Sequence, residues 1–357
     1  MFTKKACPIC DSRSIFRFLN HEKIPVHQNF LINDQVAAIN ITRGDLNLVV
    51  CNECGFIFNQ TFDLSKLSYG DKYDNTQDCS SYFNSYLSKL ANTLVFDKNI
   101  QNCTIVEIGC GKGSFLRKLV EIKEWGNTGY GFDPSYVGLE TDLGGRLNFK
   151  KRYYDLDCTN INADVIVCRH VIEHVPDPLN LLRIIRKALN NSRHAHIFFE
   201  TPSVEWILHN QVIYDFFYEH CSYFSASSLR TAFDAAGFKV ESIKSVFEDQ
   251  YLWLEAIPST EKFYVTKNPA SIPVLANQFA AIEQDLKKKW EVKIRELATR
   301  GKVAIWGAGA KGVTFANIFD PQRKWIDCVI DLNPMKHGKF IPGSGHPIIN
   351  YKQIASR

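Results

Sequence analysis

One short stretch concentrates groups that can move protons. "FYEHCSYF" places Tyr218, Glu219, His220 and Tyr223 within six residues. A carboxylate, an imidazole and phenols side by side suit general acid–base work, since one group can take a proton while another donates a hydrogen bond. A second set is made of thiols. Cys7 and Cys10 stand in "CPIC", Cys51 and Cys54 in "CNECG". Two such knuckles can supply four thiolates, the ligand set that structural Zn2+ prefers. With all four positions filled, the site would be structural and not catalytic. A third set is made of glycines. "VEIGCGKGSFL" holds Gly109, Gly111 and Gly113, and "IWGAGAKG" holds Gly307, Gly309 and Gly312. Such turns let a ligand approach the backbone closely, with helix N–H groups behind it.

These groups need elements to hold them. From residue 104 to about 257 the pattern alternates strand and helix. "TIVEIG", "TGYGFD", "ADVIVC" and "HAHIFFE" read as short strands. "HVPDPLNLLRIIRKAL" reads as a helix with Asp177 as N-cap and Pro178 as its first residue. Leu181, Ile184, Ile185 and Leu189 share one face of it. The alternation predicts an α/β fold with a doubly wound, mostly parallel sheet. A second predicted helix covers "YFNSYLSKLANTLV". Residues 258–270 read as a linker. After it, Leu275, Phe279, Ile282, Leu286, Trp290 and Leu297 mark a long amphipathic helix whose apolar face packs into a core. Ser225, before "ASSL", reads as a further N-cap.

The chain has 357 residues, too many for one typical core, and the expected division is 1–63, 64–257 and 258–357. Lys plus Arg is 42 against 38 for Asp plus Glu, so the net charge of +4 gives no case for nucleic acid or membrane binding. The start, "MFTKKACPIC", lacks the apolar core of a signal peptide, and no window approaches a membrane span. The 11 cysteines, with four in C-x-x-C pairs and no secretion signal, favour metal ligation over disulfides and a cytoplasmic location.

The first turn carries two acids. Glu107 stands on the strand, where a carboxylate would oppose a pyrophosphate but suit a cationic ligand. Asp133, 20 residues past Gly113, can accept both hydroxyls of a ribose. At E-x-G-x-G-x-G followed by that acid, the sequence resembles the class I S-adenosylmethionine-dependent methyltransferases. The resemblance implies that Gly109, Gly111 and Gly113 lie under the cofactor and that Asp133 binds its ribose. It also implies that "CRHVIEHVPDP" lies beside the methyl, with His170 and Glu173 lining the pocket. His174 is read as structural. Asp155, in "YYDLD", is a candidate adenine contact.

The order "CPIC…CNECGFIFN", "VEIGCGKGSFL", "YEHCSYFS", "IWGAGAKG" resembles a narrower group across essentially the whole chain: the C-methyltransferases of deoxysugar-nucleotide biosynthesis. Those enzymes join a zinc-binding N-terminal region, a methyltransferase domain and a C-terminal Rossmann-like domain. The resemblance implies proton abstraction beside a ketone, then methyl transfer to carbon of a nucleotide-linked keto sugar. His220 becomes the base, with Glu219 orienting it or contacting the sugar and raising its basicity. The family's catalytic tyrosine, two residues before the Glu, is Phe217 here, with Tyr218 shifted by one. Tyr73 is the candidate from the tyrosine-rich stretch "YGDKYDNTQDCSSYF".

The second turn, with Asp331 at the end of "WIDCVID", resembles an NAD fingerprint. Only about 55 residues follow its start, so a relic or substrate-shaping domain is favoured over bound NAD. Lys311 is placed to meet a phosphate, and His346, in the loop "IPGSGHPII", is a minor candidate to reach the cleft. The expected cofactors are S-adenosyl-L-methionine and structural Zn2+. The expected partner is a small molecule, with the chain a monomer or homodimer. The competing readings are an O- or N-methyltransferase of another small metabolite and a non-catalytic nucleotide-binding module.

Overall fold

The structure, a computed structural model, describes residues 4–70, 73–74, 79–189, 192, 194–259 and 267–356. Residues 260–266 of the expected linker lie outside the described residues, as do 71–72 and 75–78 of the tyrosine-rich stretch.

The chain opens with the antiparallel strands β1 (Ile15–Pro25), β2 (Arg43–Cys51) and β3 (Ile57–Asn59), with a short helix α1 (Gln35–Ile39) between the first two. Leu46, Leu48 and Val50 alternate inward along β2, and at its end Val49 and Cys51 are buried on the opposite face as well. A helix α2 (Ser81–Asn92), capped by the Ser80 hydroxyl, leads into the central sheet.

That sheet is built from β4 (Thr104–Ile108), β5 (Thr128–Phe132), β6 (Thr141–Asp142), β7 (Leu147–Lys150), β8 (Val165–Arg169) and β9 (His196–Pro202). Between them run α3 (Ser114–Val120) and α4 (Pro178–Ala188), and α5 (Val204–His209) follows β9. Next come β10 (Ser222–Tyr223), α6 (Ala226–Ala235), β11 (Phe238–Val246) and β12 (Tyr251–Pro258). The sheet order is β11-β12-β9-β8-β4-β5-β7-β6. Strands β9, β8, β4, β5 and β7 run parallel, and the edge pairs are antiparallel. The chain moves outward from β4 through β5 and β7, then returns to β8 on the other side. The switch point therefore lies between β4 and β8, where open α/β sheets place their ligands.

Asp177 caps α4 by accepting from the Asn180 N–H, with Pro178 in the first turn. Leu181, Leu182 and Ile185 are buried under the sheet, and each such burial contributes roughly 1.5–3 kcal/mol. Ser225 caps α6 in a reciprocal box with Ser228.

The C-terminal part starts with the long helix α7 (Ile272–Arg300). A three-stranded parallel sheet of β13 (Val303–Trp306), β14 (Ile326–Ile330) and β15 (Ile348–Ile349) follows, with α8 (Ala310–Phe319) between its first two strands. Phe279 and Ile294 of α7 are buried, but Leu297 is exposed, which corrects its assignment to the core. The helix outruns the surface it covers, so its last turn meets solvent.

β10 does not belong to the central sheet. Ser222 and Tyr223 pair with Phe58 and Ile57 of β3, so the end of the acid–base stretch forms the fourth strand of the N-terminal sheet. Among the described residues no helix is long and apolar enough to cross a membrane.

Candidate active site

The first glycine turn is held by its own backbone and by Asp133. The N–H groups of Gly109 and Cys110 both donate to the Phe132 carbonyl, at 2.8 and 3.2 Å. The Gly111 N–H donates to Asp133 Oδ2 at 2.8 Å, while Asp133 Oδ1 accepts from the Ser135 backbone and hydroxyl. Gly109 and Gly113 have φ of 71° and 79°, and a Cβ there would strike Val171 or Phe149. Gly111, at φ 54°, faces open space. This is the one position in the turn where the missing side chain leaves room for a ligand. Glu107 lies beneath, fully buried, and accepts from the Leu116 N–H. Burial pushes its carboxyl up to about 8, against the pull of Arg169.

His170 follows β8 in the left-handed region, at φ 53°. Its Nε2 is buried without a hydrogen-bond partner, and its Nδ1 lies 3.5 Å from Glu173 Oε1, itself unpartnered. A non-glycine residue held in this conformation beside two orphaned polar atoms marks a place where local comfort has yielded to something else.

A cavity of about 530 Å3 opens next to it. Tyr73, Glu173, Glu219 and His220 line one wall, and Gly307, Gly309, Lys311 and Lys336 the other. Gly109, Gly111, Gly113 and Asp133 do not line this cavity, but the first turn is tied to the second through one residue. Asp74 joins them: its carboxylate lies 3.2 Å from Lys112 Nζ of the first turn and 3.3 Å from Asn333 Nδ2 beyond the second.

His220 is buried, and its Nδ1 has no partner. Burial first, then the charges of His174, His170 and Lys311, hold its imidazole well below the ordinary histidine range. The expected pairing with Glu219 is absent. Glu219 points instead to His27, whose Nδ1 lies 3.1 Å from Oε1, and to the Gln28 N–H at 3.4 Å. Its Oε2 is buried and unpartnered. Neighbours in sequence part here because the backbone turns between them. The expected rise in the basicity of His220 is replaced by a fall. Tyr73 is raised well above the usual phenol range, by burial and then by the Glu219 charge, so its hydroxyl stays protonated.

Three further candidates lie elsewhere. Tyr218 is turned away from the cavity: its ring packs on Phe62 and over Gly44, and its hydroxyl is bonded to the Asp63 backbone. Phe217 faces the cavity in its place. Asp155 is an exposed cap, bonded to the Asp157 N–H and to Arg152 at 2.6 Å, and it does not line the cavity. His346 is buried against Ser344 and Asp320, with no path to the cleft. His174 does line the cavity, with Nδ1 held by the Tyr69 hydroxyl at 3.2 Å. Lys311 reaches the cavity but is engaged, 2.9 Å from Asp215 and 3.0 Å from Gln250. Asp331 holds the second turn, accepting from the Ala308 N–H at 2.7 Å. Sequence reading missed His27, which stands in "IPVHQNF" with no motif around it.

The four cysteines come together at the end of β2, where Cys7, Cys51 and Cys54 join the same core as Phe58 and Phe224. Cys7 and Cys54 sulfurs are 3.6 Å apart, as are those of Cys10 and Cys51, and all four lie within 4.8 Å of one another. A disulfide needs about 2.05 Å. Four thiolates at about 2.3 Å from one ion stand roughly 3.8 Å apart, so the cluster has the spacing of a tetrahedral metal site.

Comparison with known proteins adds the decisive point. Residues 81–243 match the family described as "Methyltransferase domain", and residues 271–357 match "C-methyltransferase C-terminal domain". The chain is 25% identical over 371 residues to C-methyltransferase NovU of Streptomyces niveus, covering 98% of this chain and 86% of that one. The chain is an S-adenosylmethionine-dependent methyltransferase, and the two domain matches with the full-length similarity support the class I C-methyltransferases. A shorter match, 25% identical and covering 30% of this chain and 39% of the relative, is to the tRNA U34 carboxymethyltransferase of Campylobacter fetus subsp. fetus (strain 82-40). Among solved structures, the magnesium protoporphyrin IX methyltransferase of Synechocystis PCC 6803 aligns over 54% of this chain and 91% of its own, at 19% identity and a TM-score of 0.37. The dimethyltransferase RosA from Streptomyces davawensis aligns over 50% and 55%, at 18% identity and a TM-score of 0.37. The chain spans about half the length of RosA.

As a methyltransferase of this class, the enzyme uses S-adenosylmethionine as its methyl donor. When bound, the cofactor supplies an electrophilic methyl group. The open face above Gly111 is compatible with that ligand, and so is His170 Nε2, which makes no hydrogen bond and lies 3.7 Å from Glu200 Oε1.

Proposed function

We propose that the enzyme methylates carbon in a nucleotide-linked keto deoxysugar. The carrying observation is the cavity itself, with unpartnered acid–base atoms on one wall and a glycine turn with Lys311 and Lys336 on the other. A sugar at the first wall and a phosphate-bearing nucleotide at the second would fill both. The full-length similarity to C-methyltransferase NovU supports the same reading.

In this reading Gly109, Gly111, Gly113, Asp133 and His170 hold the cofactor, with Glu107 beneath them stiffening the turn. The carbon beside the ketone becomes a nucleophile when its proton leaves. His220, kept neutral by burial, takes that proton on Nδ1. The protonated Tyr73 hydroxyl donates to the oxygen of the resulting enolate. Glu219 holds the sugar through its free Oε2. Lys336 contributes positive charge near a phosphate. A non-catalytic module would have no use for several buried polar atoms left unsatisfied beside one cavity, since each is unfavourable by about 1–3 kcal/mol. We further propose that Cys7, Cys10, Cys51 and Cys54 hold one structural Zn2+, on the spacing above, and that the chain divides at 1–63, 64–257 and 258–357.

The test is incubation with S-adenosylmethionine and a panel of nucleotide-linked 4-keto sugars, read by mass spectrometry and NMR. A product one methylene heavier, with the methyl on carbon, is expected. A methyl on oxygen or nitrogen would overturn carbon as the acceptor, and no product from any keto sugar would overturn the substrate class.

A further inference from the structure

The carboxylate of Glu219 is held by a residue 192 positions away, beside another strand of the same N-terminal sheet. His27 follows β1, in the N-terminal region, and only 2% of its surface is exposed; Glu219 is wholly buried. The imidazole uses both of its nitrogens. Nε2 accepts the Ser68 N–H at 3.2 Å, which leaves the proton on Nδ1, and Nδ1 donates it to Glu219 Oε1. Phe30 stacks on the ring with centroids 3.7 Å apart, and Tyr69 stands edge-on at 6.1 Å. The ring has no freedom to turn. On Glu219 the consequence is directional. Oε1 is taken by His27 and by the Gln28 N–H, and Oε2 alone remains, buried and unpartnered, on a residue that lines the cavity.

We propose that His27 is a positioning residue for carbon methylation: the N-terminal region supplies the hydrogen bond that aims the free oxygen of Glu219 at the substrate. The proposal rests on reading the cavity as the methylation site. A buried histidine–carboxylate pair that served packing alone would tolerate any partner that kept the space filled. One that aims an oxygen needs a donor at the Nδ1 position, and asparagine places an N–H there while leucine does not. Loss of a second residue that orients a reacting group typically lowers activity about 10- to 100-fold.

The experiment compares wild type, His27→Leu and His27→Asn in the full chain. Turnover is followed on the keto sugar that wild type accepts, and S-adenosylmethionine affinity by calorimetry. His27→Leu is expected to lower kcat about 10- to 100-fold with unchanged cofactor affinity, and His27→Asn to recover most of that loss. Equal activity in all three, or equal loss in both variants with cofactor affinity intact, would overturn the proposal. If His27→Leu fails to fold, His27→Asn decides alone: kcat near wild type supports aiming by the donor, and a folded but inactive protein refutes it. A wild type inert toward every keto sugar would remove the functional reading and this proposal with it. A wild type that turns over beside an unimpaired His27→Leu removes this proposal only.

Discussion

Substituting alanine at Gly109 and at Gly111 should damage the protein in two different ways. Both residues have positive φ, 71° and 54°, so each alanine carries the left-handed penalty of about 1–2 kcal/mol. At Gly109 the new Cβ would also lie 2.0 Å from Val171 Cγ2, closer than any real contact, so the β4 turn or the β8 loop must shift. Overpacking of that kind adds about 1–3 kcal/mol. At Gly111 nothing lies within 4 Å of the new methyl, so no further strain arises in the free protein. With about 2–4 °C of Tm per kcal/mol for a domain of this size, Gly111→Ala should lower Tm by about 2–8 °C. Gly109→Ala should lower it by roughly 4–20 °C. Cofactor affinity should rank the other way. The Gly111 methyl would occupy the open face, and the Kd for S-adenosylmethionine should rise at least about tenfold, equivalent to about 1.4 kcal/mol. Differential scanning fluorimetry and calorimetry on the two purified variants give both quantities. A Gly111→Ala protein that binds S-adenosylmethionine as wild type does would refute the turn as the cofactor's seat.

Cys51→Ser should lose the bound metal and melt at lower temperature. Elemental analysis should find about one zinc per wild-type chain and none in the variant; unchanged zinc content in the variant would refute the four-thiolate site. His220→Ala should abolish methyl transfer and leave cofactor binding intact, so near-normal turnover would remove His220 as the base. Burial raises the carboxyl of Glu107 from 4.5 to about 8, so the folded protein holds this proton more tightly than the unfolded chain. That contribution to stability is complete below 4.5 and is lost as pH rises through about 8. Glu107→Gln mimics the protonated form, and its Tm should gain on wild type as pH rises from 4.5 to about 8 and level off above that; a gap independent of pH would refute the buried neutral acid.

The centre of the sheet was legible because β4, β5, β8 and β9 are short apolar runs, whereas the parallel strand β7, with the sequence LNFK, was too short and mixed to be read. Asp177 and Ser225 cap their helices as their types require. The strands β11 and β12 were not read. In "FKVESIKSV" the polar residues fall at positions that face solvent on an edge strand, so no apolar run announces it. The site was less legible than the fold. Tyr218 and Phe217 are adjacent in a segment without regular period, and nothing in the sequence says which one faces the cavity. The partner of Glu219 was invisible for a different reason. A hydrogen bond between residues 27 and 219 depends on β10 joining the N-terminal sheet from far along the chain, and local patterns carry no record of that.

The pairing of β10 with β3 has a consequence for how the protein is made. Until Ser222 and Tyr223 exist, β3 is a bare sheet edge, and its three residues are among the most buried of the finished protein. An exposed apolar edge invites pairing with other chains. During synthesis at about 5–20 residues per second, that edge waits roughly ten to thirty seconds for its native neighbour. The N-terminal region produced by itself would keep the edge permanently, and would be expected to aggregate even with zinc supplied. The strand that closes the edge closely follows Glu219 and His220 of the acid–base stretch.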